Sequence, residues 1–211
     1  GLNYLKHLKE AADKAGTVPN VPDRPEIGYR AQNALIAHDE NVVIPASATE
    51  KIHYEGELVV VIGKTAKHLT EANAMDCVFG YTIGNDVSER NFQTERLGQW
   101  TKGKSHDTFG PVGPWLVTKD EIADVQNLSM WLDVNGQRRQ TGNTRTMIFG
   151  VAHLVSYISQ FMTLHPGDII ATGTPPGVGL GMTPPTFLRE GQVVTLGAAG
   201  LGQQHQRMVQ A

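Results

Sequence analysis

The sequence predicts a predominantly β protein of the α+β class, with a few short helices and a single domain over residues 1–211. Three observations carry that expectation. Short β-branched apolar runs recur along the chain, most clearly in Ile52-His53-Tyr54-Glu55-Gly56-Glu57-Leu58-Val59-Val60-Val61-Ile62-Gly63. Glycine, proline or Asn-Gly punctuates these runs, as at Asn135-Gly136. Helical spacing is confined to Leu2–Ala15, a turn from Thr70 to Met75, Ser88–Leu97 and Val151–Phe161.

Taken in order, Leu2–Ala15 carries Leu5, Leu8, Ala11 and Ala12 on one stripe, with His7 and Glu10 as neighbours three positions apart. Residues 17–28 hold Pro19, Pro22 and Pro25 and read as an irregular loop, a candidate lid over the helix that bears His7. Residues 33–37 and 41–45 are short strands. The central strand 52–63 follows, with Glu55 and Glu57 on one face and Val59 and Val61 beside them as candidate core residues. Val78–Asp86 is a second buried strand. Its terminal Asp86 can cap the following helix or face the same cavity as the glutamates. Residues 98–114 read as a loop containing Lys102-Gly103-Lys104, where the glycine would allow close approach to an anion. Pro114–Thr118 is a strand, Met130–Val134 and Gln137–Gln140 form a hairpin with a type I′ turn, and Pro166-Gly167-Asp168 turns into Ile169–Thr172. Gly173-Thr174-Pro175-Pro176-Gly177-Val178-Gly179 lacks the lysine and hydroxyl of a nucleotide-binding loop. Val193–Leu196 and Gln204–Val209 close the chain as strands.

A formal net charge of −3 without a basic block argues against nucleic acid as a partner. No apolar run approaches the ~18 residues of a membrane span, so no membrane partner is expected. The lone Cys77, entering an apolar strand, reads as a small buried filler and suits a reducing compartment, hence a cytoplasmic location. The chain opens at Gly1, which leaves room for a preceding segment.

Glu55, Glu57 and Asp86 supply three carboxylates from two strands, with no clustered cysteine and no paired histidine. Gathered beside a buried face they repel one another unless protons or a cation compensate. An all-oxygen donor set favours a hard cation such as Mg²⁺ or Mn²⁺. Taken alone, the two glutamates also fit a solvated strand end.

At these residues the chain resembles the fumarylacetoacetate hydrolase superfamily. The resemblance runs through the His-Tyr-Glu-x-Glu-Leu strand, Asp86 with Ser88-x-Arg90 and Gln93, and the lysine loop into Phe109-Gly110-Pro111. It continues in Val134-Asn135-Gly136, Met147-Ile148-Phe149 and Gly167-Asp168-Ile169-Ile170-x-Thr172-Gly173-Thr174-Pro175. The opening Gly1-x-Asn3-Tyr4-x-x-His7-x-x-Glu10 is similar to the family's catalytic helix. The resemblance implies a mixed β-roll or sandwich, often a homodimer, with one Mg²⁺ or Mn²⁺ on Glu55, Glu57 and Asp86. It implies a small-molecule 2-oxo acid substrate, with His7, Glu10 and Lys104 catalytic and Gln93 and Thr174 contacting substrate. Arg30-Ala31 stands where many members have Lys-Pro, so Arg30 is the candidate carboxylate contact, and the N-terminal domain many members carry is absent from the sequence. The implied reaction is hydrolysis of a C–C bond in a 2,4-dioxo acid. Trp100–Lys104 and Trp115-Leu116-Val117-Thr118 look most like members that act on 2,4-dioxo-3-deoxy sugar acids. Decarboxylation of an oxaloacetate-type substrate, isomerisation of an unsaturated 2-oxo diacid, or a silent ligand-binding homologue are the alternatives.

Overall fold

The computed structural model describes residues 2–211, so Gly1 of the opening motif lies outside the described residues. In chain order the elements are α1 (Leu5–Ala15), β1 (Leu35–Ala37), β2 (Val42–Ile44), β3 (Ile52–His53), β4 (Gly56–Ile62), α2 (Glu71–Ala74), β5 (Val78–Asn85) and β6 (Ser88–Glu89). Then come α3 (Thr101–Lys104), β7 (Gly110–Thr118), β8 (Ser129–Val134), β9 (Gln137–Asn143), α4 (Val151–Ser159), β10 (Ile169–Ala171), β11 (Val193–Ala198) and β12 (Gly202–Gln210). Two five-stranded sheets form, in the orders β1-β7-β5-β4-β10 and β2-β12-β11-β8-β9, with β3 and β6 as a separate pair. This is the expected α+β arrangement of mixed sheets.

Local chemistry explains the ends of several elements. Gly16 closes α1 in the left-handed region at φ 66°, donating its N–H to Ala12 and Asp13 carbonyls. The Asn73 side chain accepts the Thr70 N–H at 2.8 Å, the reciprocal arm of a capping box on α2. Asn135 and Gly136 take φ values of 50° and 74°, as the type I′ turn between β8 and β9 requires.

The inter-sheet core is built from Leu58, Val60 and Ile62 of β4, Tyr81 and Ile83 of β5, and Leu132, Val194, Leu196 and Met208 of the second sheet. The period-2 alternation of β4 holds; of the two residues expected in the core, Val59 is buried and Val61 partly so, but neither joins the inter-sheet cluster. Leu58, Val60 and Ile62 point into the core, while Val59 and Val61 belong to the opposite face. Both faces of this central strand are largely covered, which is why it reads as a continuous apolar run.

Two further expectations are corrected. The expected strand 52–63 is interrupted at Tyr54–Glu55, because β3 leaves the main sheet to pair with β6. The expected helix at Ser88–Leu97 is instead β6 followed by a π-helical turn over Asn91–Glu95. There the Arg90 N–H is drawn to the Lys51 carbonyl, and the buried Glu89 carboxylate accepts from Thr49 and Phe92 N–H groups. The stretch 98–114 is not wholly loop: it contains α3, and β7 starts at Gly110.

Gly103 serves a different purpose from the anion approach expected of it. A Cβ there would sit 2.5 Å from both the Gln93 Cβ and the Glu89 carbonyl oxygen. Its missing side chain lets α3 lie directly on the π-helical turn, which delivers Lys104 to the interior. Gly103→Ala is therefore expected to cost about 1–3 kcal/mol of stability by overpacking, read by urea denaturation. An unchanged midpoint would contradict the close contact.

Candidate active site

The antiparallel register of β4 and β5 assembles the carboxylates. Gly56 pairs with Asn85, so Glu55 and Asp86 flank that pair at the ends of their strands, and Glu57 lies opposite Gly84. The Asp86 N–H donates to the Glu55 carbonyl at 2.8 Å, fixing the two residues side by side. Oxygen atoms of Glu55, Glu57 and Asp86 lie within 4.8 Å of one another.

Three cations surround them. The Lys104 ammonium contacts Glu55 Oε2 at 3.1 Å, Ser88 Oγ at 3.0 Å and Asp86 Oδ2. Arg90 pairs with the other Glu55 oxygen and reaches Gln93 Oε1. Arg30 pairs with Asp86 Oδ1 and also donates to the carbonyls of Val87, Lys104 and Phe109. Asp86 thus spends its side chain in the cluster and does not cap the turn that follows.

This arrangement splits the ionisation of the two glutamates. Burial raises the Glu55 carboxyl, but Arg90 and Lys104 outweigh burial and hold it well below the usual carboxylate range. For Glu57, burial and then the Glu55 charge push the pKa up, because its partner is the Gly173 N–H at 2.8 Å rather than a side-chain cation. Burial also lowers Lys104, and it pulls Arg30 down to about 10. Three carboxylates that all offer oxygen, one of them without a side-chain cation, fit a hard divalent cation better than zinc or a soft metal.

The remaining candidates fall into two groups. Gln93 is buried against Arg90. The Thr174 hydroxyl donates to the Gly56 carbonyl and accepts from Gln140 Nε2, so it is tied to the backbone between Glu55 and Glu57. His7 is buried, and its charge would be felt at Glu55. Its Nδ1 lies 3.5 Å from Glu10 Oε2 without forming a hydrogen bond, and the Glu10 carboxylate instead accepts the Gly177 N–H at 3.1 Å. Such a loose pair is common in a site without substrate.

A cavity of about 610 Å³ opens onto Glu57, Asp86, Lys104 and Arg30, and from α1 it is Leu8, not His7 or Glu10, that lines it. Asn20, Pro22 and Pro25 of the expected lid form part of its wall, as does Trp100. Trp115–Thr118 does not contribute to that wall; it runs along β7 away from the carboxylates.

Sequence reasoning missed three supporting residues. Gln140 is buried in β9, accepting the Gly56 N–H at 3.0 Å and donating to Thr174 and Pro175. Nothing in its strand context marks it as polar and interior. Arg90 was visible in the motif, but its pairing with Glu55 depends on the π-helical turn. His53 is fully buried with neither ring nitrogen bonded, packed 5.1 Å from the Phe187 ring.

The family model described as the fumarylacetoacetate hydrolase C-terminal domain matches residues 1–209. The chain belongs to that family. A Burkholderia lata protein provisionally named a hydrolase is 52% identical over 207 residues, covering 98% of this chain and 71% of that protein. The fumarylacetoacetate hydrolase of Exiguobacterium antarcticum superposes with a TM-score of 0.85 at 37% identity, covering 99% of this chain and 73% of its own. A Mycobacterium marinum 2-hydroxyhepta-2,4-diene-1,7-dioate isomerase gives 0.81 at 41% identity, covering 90% and 70%. Members of this fumarylacetoacetate hydrolase family therefore include hydrolases and isomerases, and they are generally dependent on a divalent metal.

His53 gives the site a pH signature. Burial, and next the Arg90 charge, push its pKa down to about 3. The unfolded chain takes up that proton near pH 6.5, whereas the folded chain refuses it until about pH 3. Stability is full above pH 6.5 and falls on acidification, by up to ~1.4 kcal/mol per pH unit from this one group. Glu57, with its raised pKa, works in the opposite direction and is common to parent and variant. In metal-free protein, His53→Gln is expected to flatten the decline of the thermal midpoint between pH 6.5 and 5. An identical slope in parent and variant would assign the titration elsewhere.

Proposed function

We propose that the protein is a divalent-cation-dependent hydrolase that cleaves a C–C bond in a 2,4-dioxo acid, giving pyruvate or a similar 2-oxo acid and a second acid. The observation that carries the reading is the Glu55–Glu57–Asp86 cluster, which opens through Glu57 and Asp86, together with Lys104, onto one cavity. Glu55, Glu57 and Asp86 would hold Mg²⁺ or Mn²⁺. A divalent cation there supplies Lewis acidity, worth several kcal/mol of charge stabilisation on a 2-oxo acid.

The protein's own groups do the rest. His7 takes a proton from water as the water oxygen adds to the distal carbonyl carbon. Glu10, fixed by the Gly177 N–H, orients the imidazole. Lys104, which would be free of Asp86 and Glu55 with a divalent cation on those carboxylates, stabilises the oxyanion. The C3–C4 bond then breaks, the leaving carbon is protonated, and the two acids separate. Gln93 and Thr174 contact the substrate, and Arg30 takes part in recognising its carboxylate. The active form is a homodimer, which light scattering on the purified protein would establish. Among the described residues no helix is long and apolar enough to cross a membrane.

Isomerisation is the second reading, favoured by the 41% identical isomerase. It needs no water-activating base. His7→Ala is therefore expected to lower hydrolysis of an acylpyruvate by ~10²–10⁴-fold while leaving Mn²⁺ binding intact. Hydrolysis within about threefold of the parent, below that range, would remove His7 as the base, and a parent that cleaves no acylpyruvate would favour isomerase or decarboxylase chemistry.

A further inference from the structure

We infer that the site takes 2-oxo acids whose distal arm is uncharged and apolar, and discriminates against a second carboxylate at the far end. The inference rests on the 2,4-dioxo acid reading for the reaction, but the cavity carries it independently for binding. At about 610 Å³ the cavity is far larger than a three-carbon head requires and falls in the ~300–1,000 Å³ range of pockets that enclose larger ligands. From the carboxylate cluster it extends between the proline-rich segment and the α4–β10 edge, past Leu8, Leu154, Ile158, Met162 and Ile170.

The charges on its wall are unevenly placed. Its cations are Arg30 and Lys104, and both belong to the cluster end. Lys104, whose donors go to Glu55, Asp86 and Ser88, would with a divalent cation bound face the head of the substrate at the cluster, not its distal end. Both Arg30 terminal nitrogens are engaged by Asp86 and three carbonyls. Apart from Glu57 and Asp86 of the cluster, the other charged wall residues are the carboxylates Glu26 and Asp168, both exposed. A distal carboxylate would therefore lose water without gaining a cation and would meet like charge. An alkyl or aryl arm loses nothing and gains apolar contact along Ile158 and Met162. Along Leu8, Leu154, Ile158, Met162 and Ile170 a polyhydroxylated sugar arm would find no side-chain polar partner.

The test uses the Mn²⁺-loaded full chain and two matched series. One is 2,4-dioxo acids with linear alkyl tails of increasing length, their ω-carboxylated counterparts and one sugar-derived dioxo acid, compared by kcat/KM. The other is 2-oxooctanoate against 2-oxooctanedioate, compared by calorimetric affinity without any reaction. The expected result is a rise in kcat/KM of about fourfold per added methylene until the cavity fills, with ω-carboxylated and sugar-derived substrates at least tenfold below their alkyl equals. 2-Oxooctanoate should bind at least tenfold tighter than the dioic acid. Met162→Lys, at a half-exposed wall position, should narrow or invert that preference. If no dioxo acid is cleaved but the affinity order holds, the hydrolase reading fails and the pocket inference stands. Equal or tighter binding of the dioic acid overturns the inference, whatever the reaction proves to be.

Discussion

Three largely buried carboxylates crowded at adjoining strand ends are the constraint around which the rest of this molecule is arranged. Their mutual repulsion and lost hydration would be severe without compensation. Lys104, Arg90 and Arg30 each arrive from a different segment to supply it. Each cation imposes a demand on the backbone: a side-chain-free Gly103 for Lys104, a π-helical turn for Arg90, and the extended segment before β1 for Arg30. The irregular features of the fold thus concentrate where the charge has to be balanced.

That balance leaves Glu57 as the exception. Glu55 has two cations and Asp86 has two, whereas Glu57 has the Gly173 N–H. The same Gly173–Gly177 loop holds Thr174 against β4 through Gln140 and fixes Glu10 through Gly177. Gly177 can do this because it adopts φ 103° with the Arg139 carbonyl oxygen 2.0 Å from where a Cβ would stand. One loop therefore links the carboxylate cluster to the candidate base. Binding of a divalent cation would supply the missing charge at Glu57 and release Lys104 for substrate.

Much of this was legible in the chain. The β-branched run 58–62, the Asn135-Gly136 turn and the α4 stripe each determine their element locally, and all three appear where the pattern puts them. The carboxylate trio was also legible, because strand ends at Glu55 and Asp86 follow from where the apolar runs stop. What escaped depends on contacts distant in sequence. Which face of β4 joins the inter-sheet core reflects which side the second sheet covers, and no feature of the run itself decides that. Residues 88–97 have helical spacing, yet pairing of β6 with β3 and the buried Glu89 carboxylate override it. Gln140 sits in a strand of mostly polar residues, so its interior role emerges only when β9 meets the Thr174 loop.

A divalent cation held by Glu55, Glu57 and Asp86 would displace Lys104 from between the carboxylates. A crystal structure with Mn²⁺, using its anomalous scattering, tests this most directly. The account predicts one strong peak bonded to oxygens of Glu55, Glu57 and Asp86, with the Lys104 ammonium moved off both Glu55 and Asp86. A map without that peak, or a peak elsewhere with Lys104 still bridging the two carboxylates, would contradict it.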